Sequence, residues 1–153
     1  MGYERITSPA DAWHDPGMAV RPSDIWRRDV DEEAAEVAAG RLRPDKAYAA
    51  ELWSPWMLER TDAALAEFER EIPTIDLLSD EAILDLVRRL MLTLNEIDEV
   101  EVSRGGGGYE TGEREDLCEY IDASLTEAGV DLDALAARRN IDRSEITDEW
   151  RMW

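Results

Sequence analysis

The sequence predicts an all-α fold: one bundle-like or irregular array of five to seven helices. Apolar residues recur at three- and four-residue spacing over most of the chain. Ser-, Asp- and Pro-based helix starts alternate with Gly and Asn stops. Only one stretch, near residues 100–103, alternates polar and apolar residues as a strand does, and it has no second strand to pair with. At 153 residues the chain is long enough to bury one core, and no repeat of solenoid length divides it.

Residues 1–22 hold Pro9, Pro16, Gly17 and Pro22 without a sustained period. They read as an irregular arm, with Trp13 and Met18 held against the body. The first helix should run from Ser23 to Ala39, where Ile25, Trp26, Val30, Ala34 and Val37 share a face and Gly40 stops it. Pro44 opens a short second helix, with Tyr48 and Leu52 on one side. Ser54-Pro55 is a clear start, an N-cap serine before proline at the first helical position. That helix should reach Glu71 and stop before Pro73.

Ser79 with Asp80 and Glu81 opens the next helix, the acids matching the positive end of the helix dipole. Its apolar stripe from Ile83 to Ile97 is widened by Leu84, Leu86 and Leu92, the mark of a central helix packed on several sides. Val100 and Val102 follow in the alternating segment, and then Gly105–Gly108, a flexible connector on this reading. Thr111 should cap a helix over 112–128 that stops at Gly129. Asp131 caps a shorter one that exits through Asn140. A last turn from Ser144 or Thr147 carries Trp150 and Trp153, one helical step apart.

Charge sets the strongest limits on function. Seventeen basic residues face 37 acids, a formal charge of −20. Such a surface repels nucleic acid and anionic membranes, and attracts basic proteins or cations. Lys46 is the only lysine; with arginine in every other basic position and many alanines, the composition is that of a GC-rich bacterial genome. Cys118 stands alone, so no intrachain disulfide forms and a reducing compartment is expected. Glu4, Arg5 and Asp11 occupy the place of a signal peptide's apolar run. A cytoplasmic location is the expectation.

Three chemistries stand against this background. A glycine run before a helix can cradle phosphate. In the nearest P-loop alignment, Gly107 to Gly112, Glu113 and Arg114 stand where lysine and a hydroxyl are needed. Residues 95–119 hold nine acids against Arg104 and Arg114, yet they lack the calcium-loop pattern. His14 is the only histidine, so neither a zinc set nor Glu-x-x-His pairs can be built. Cys118 lies past the first turn of its helix with Asp116 and Glu119 beside it, which opposes a thiolate. No catalytic, cofactor-binding or metal-ligating residue is assigned.

Six tryptophans against one phenylalanine suggest anchors at core edges or in an acidic rim. The expected function is protein–protein contact with a basic or nucleic-acid-binding partner, such as a nuclease or toxin. In general character, rather than by motif, the chain resembles immunity proteins that neutralise nuclease toxins. The expected contact residues are Glu99, Glu101, Glu110, Glu113, Glu115 and Asp116 around the glycine run, with Tyr109 as an apolar contact and Trp150 and Trp153 as anchors. The alternative is a carboxylate-lined ligand- or divalent-metal-binding protein or enzyme; a third reading is self-association through exposed tryptophans.

Overall fold

The computed structural model describes residues 19–153. The expected packing of Trp13 and Met18, and His14 with them, lies outside the described residues. Among those described, seven α-helices and two 3-10 turns follow one another with no strand: α1 Pro22–Ala38, α2 Ala49–Leu52, α3 Pro55–Glu71, α4 Asp80–Ser103, α5 Thr111–Glu127, α6 Leu132–Arg139 and α7 Glu145–Asp148. The 3-10 turns are Pro44–Lys46 and Ile72–Thr74. The all-α prediction is correct.

Local chemistry explains most boundaries. The Ser54 side chain accepts from Met57 N at 3.1 Å, Ser79 from Ala82 N at 3.2 Å and Asp131 from Ala134 N at 3.0 Å. Each satisfies an amide that the first helical turn leaves free. Four helices end in one motif. In α4, Gly105 N bonds to Val102 O and Gly106 N reaches back to Glu101 O at 2.9 Å. This paired closure requires a left-handed residue, and Gly105 has φ +90. Gly40, Gly129 and Asn140 close α1, α5 and α6 in the same way.

Several expectations are corrected. Residues 100–103 are not extended; they form the last turn of α4. The valines there alternate with Glu101, but in a helix that spacing turns Val100 and Val102 outward and Glu101 inward. With no partner strand, only the helix gives this backbone its hydrogen bonds. The helix expected from Pro44 splits in two, and both Tyr48 and Leu52 are exposed. What fixes this segment is Glu33 of α1, whose carboxylate accepts from Tyr48 N at 2.7 Å and Ala49 N at 2.9 Å. The first helix starts one residue earlier than expected, at Pro22, and the Ser23 hydroxyl donates to Asp62. Thr111 is the first residue of α5, with Glu110 at the capping position. Residues 149–153 are not helical, so Trp150 and Trp153 are not related by a helical step.

The central unit is the α3–α4 pair. It runs antiparallel: Ser54, before α3, bonds Glu101 at the end of α4, and Glu71 at the end of α3 pairs with Arg89. Val87, Met91 and Leu94 of α4 are fully enclosed together with Met57 and Leu65 of α3, so the expected central role of α4 holds. Helix α1 packs on α3 and α5, α6 follows on α5, and α7 leans on α4. Leu117, Ile121 and Leu125 of α5 and Leu135 of α6 complete the same core.

Candidate protein-binding surface

The acidic stretch around the glycines divides into two sets with different work. Asp98, Glu101, Glu113 and Asp116 accept hydrogen bonds from other parts of the fold, Glu101 and Glu113 from buried positions and Asp116 from the surface. Trp26 and Trp53 stack at 5.7 Å with an interplanar angle of 12°. Both point their indole N–H at the start of α5: Trp26 donates to Asp116 at 3.1 Å and Trp53 to Glu113 at 2.9 Å. Ser54, besides capping α3, donates its hydroxyl to Glu101 at 2.9 Å. Asp98 accepts from Tyr109 N at 2.8 Å. A buried N–H or O–H without an acceptor is costly, and these carboxylates supply the acceptors.

This changes the expected contact set. Tyr109 is 5 % exposed and tilts against Trp26 on one side and Trp153, at 4.9 Å, on the other. Its hydroxyl shares a hydrogen bond with that of Thr61 at 2.5 Å. Burial pushes its acidity far out of the physiological range. Tyr109 is therefore part of the core and not an apolar contact for a partner. Glu101 and Glu113 are also buried, and Asp116 is engaged by Trp26. Trp153 is half-buried on Tyr109, its ring also covered by Arg151. Four of the expected residues remain on the surface and free of such duties: Glu99, Glu110, Glu115 and Trp150.

The glycine run is likewise more structured than a flexible connector. Gly108 is buried with φ +68, and a Cβ there would overlap the Asp98 carboxylate and crowd Val102. A Cβ at Gly106 would overlap Glu101. The run lets α5 turn back tightly enough for Tyr109 to enter the core.

The outer face of α4 carries the exposed features that sequence reasoning only partly anticipated. Trp150 is 38 % exposed beneath Arg88, and Met152 is 86 % exposed. Asn95 holds this segment with both ends of its amide: Nδ2 donates to Trp150 O at 2.8 Å, and Oδ1 accepts from Met152 N at 3.1 Å. Leu92, one turn before Asn95, is 42 % exposed. Glu96 and Glu99 lie along the same helix and are in no ion pair among the described residues. Trp56 sits at a core edge, partly buried against the core, and on its outer side carries the guanidinium of Arg104 at 5.1 Å and of Arg60 at 5.8 Å.

Between α3 and α4 two cavities meet at Ala64 and Thr93. The larger, about 680 Å³, reaches from Trp56 and Arg60 to Glu96, Glu99 and Val100. The smaller, about 420 Å³, runs on past Phe68 to Glu71 and Arg89. They make one open groove. Its sequence signal was the width of the α4 stripe: Leu92 belongs to more apolar surface than neighbouring helices cover.

The chain matches no family model, no curated protein and no solved structure. Chemistry has to be read from the side chains themselves. Cys118 lines a separate cavity of about 420 Å³ with Arg143 and Thr147. Burial pushes its thiol up, while the Thr147 hydroxyl and the Arg151 charge oppose that shift. The charge raising it is Asp148 rather than the expected Asp116 and Glu119. Among the described residues no three His, Cys, Asp or Glu side chains are grouped to hold a metal ion, and no helix is long and apolar enough to cross a membrane.

Proposed function

We propose that this protein acts by contact, as an inhibitor or immunity-type binding protein for a basic partner such as a nuclease. The observation that carries this reading is the division of labour among the acids. Those the fold needs accept hydrogen bonds from Trp26, Trp53, Ser54 and Tyr109. Those it does not need, Glu96, Glu99, Glu110 and Glu115, are left in solvent on a chain of charge −20. On α4 they lie beside exposed Leu92 and Trp150, the pairing of apolar anchor and charged rim found at protein interfaces. A carboxylate surface of this density speeds encounter with a cationic active site and competes for its phosphate subsites.

The test is calorimetric titration against a panel of purified basic ribonucleases and DNases, with nuclease activity followed in parallel. The expected result is a stoichiometric complex with at least one of them and loss of that enzyme's activity. Raising sodium chloride from about 50 to about 500 mM should weaken the complex at least tenfold. Replacing Glu96, Glu99, Glu110 and Glu115 together by Gln should have a similar effect. Binding indifferent to both salt and these substitutions overturns the reading, as does the absence of binding to every basic protein.

A further inference from the structure

We propose that the α3–α4 groove receives a cationic amphipathic helix of the partner, with the helix's basic side against the α4 rim. The inference rests on the contact reading above and specifies its site and geometry. The groove is walled by two antiparallel helices. From Arg89 to Val100 it spans roughly 16 Å, about three turns of a third helix laid along it. Its waist is made of Ala63, Ala64 and Thr93, small side chains that let another helix approach to packing distance. Ile97 and Phe68 supply the floor on either side of that waist. With no strand among the described residues, there is no sheet edge for an extended segment to join. A helix laid in a groove is the mode that the small-residue waist and the length of these walls fit.

The charges along the walls select the occupant. At the far end they are already matched: Arg89 pairs with Glu71 at 2.5 Å, and Arg70 pairs with Glu67. At the Trp56 end, Glu96 and Glu99 on the α4 wall have no ion-pair partner among the described residues, and an incoming lysine or arginine would supply one. The opposite wall carries Arg60, stacked on Trp56 and likewise in no ion pair among the described residues. A helix basic on one flank and neutral or acidic on the other therefore fits in one rotational setting only. A second copy of this chain is disfavoured as occupant, since it would bring a charge of −20 against −20.

The probe is an acetylated peptide of about four helical turns with a leucine face, lysines on one flank of it and glutamines on the other, with a scrambled isomer of identical composition that cannot segregate its leucines. Binding is read by anisotropy of a labelled peptide, and peptide helicity by circular dichroism. Ala63→Phe fills the waist at an exposed position, and the double variant Glu96→Gln/Glu99→Gln removes the rim charge. Glu119→Gln/Glu127→Gln, at exposed positions outside the proposed contact set, makes the same charge change on α5. The amphipathic peptide should bind and become helical. Its affinity should fall about tenfold in the first two variants and no more than about twofold in the α5 control. The scrambled isomer should bind at least about tenfold more weakly than the amphipathic peptide.

Two results would overturn the groove while leaving the contact reading intact: equal binding of both peptides, or equal weakening by the two double variants. If neither peptide binds at low salt and no basic protein does either, both proposals fall together.

Discussion

At the residue scale, the main lesson concerns what a carboxylate beside an indole is for. Glu113 and Glu115 are two positions apart and look alike in sequence. A helix places them on opposite sides, so Glu113 accepts from Trp53 while Glu115 faces water. Glu113→Ala should lower stability by about 1–3 kcal/mol, because it removes the acceptor of a half-buried N–H. Glu115→Ala should change it by less than about 0.5 kcal/mol. Urea unfolding followed by circular dichroism separates the two; equal effects would mean that the Trp53–Glu113 bond contributes nothing. The same contrast matters when binding is measured. Charge reversal at Glu101, Glu113 or Asp116 would damage the fold and mimic a loss of affinity.

At the scale of elements, helix starts and stops were legible wherever a single residue's chemistry decides them. Ser54, Ser79 and Asp131 cap as their side chains allow, and Gly40, Gly129 and Asn140 stop helices as their backbones allow. Gly105 has the same role but was hidden in a run of four glycines, which composition reads as a flexible linker. The four are not equivalent. Gly108→Ala should cost about 2 kcal/mol, from its positive φ and its overlap with Asp98. Gly107 has no positive φ, and a Cβ there would come no nearer than 3.4 Å, to Glu110. Gly107→Ala should be neutral or stabilising by up to about 1 kcal/mol. Thermal melts of the two variants settle the point; equal losses would show that the loop does not distinguish its glycines.

At the scale of the whole molecule, arginines fasten the last third of the chain to the central pair. Arg138 bonds both oxygens of Asp80 at 2.8 Å, and Arg139 pairs with Glu81. Each joins residues 58 apart in sequence. The Arg138 guanidinium holds the Asp80 carboxyl below its usual range. A depressed folded pKa contributes stability above the unfolded value, about 3.9. That contribution is lost as pH falls through the folded value. Arg138→Gln should therefore have a lower Tm than the parent at pH 7, and the difference should close as pH falls through the depressed Asp80 value. A difference that persists unchanged in acid would assign it to packing of the Arg138 stem instead.

The amino-acid sequence by itself determined the fold class, the order of the helices and most of their ends. These follow from periodicity and from capping chemistry within a few residues of each boundary. It also determined the net charge, and with it the class of partner proposed here. Only the tertiary structure decided which acids are free. Asp116 meets Trp26 across 90 residues and Glu113 meets Trp53 across 60; no local pattern encodes such pairings. The groove likewise exists only because α3 and α4 pack side by side and no other helix covers Ala63, Thr93 and Val100. Short-range chemistry writes the elements, and the sharing of a buried surface among distant helices decides which side chains are left for a partner.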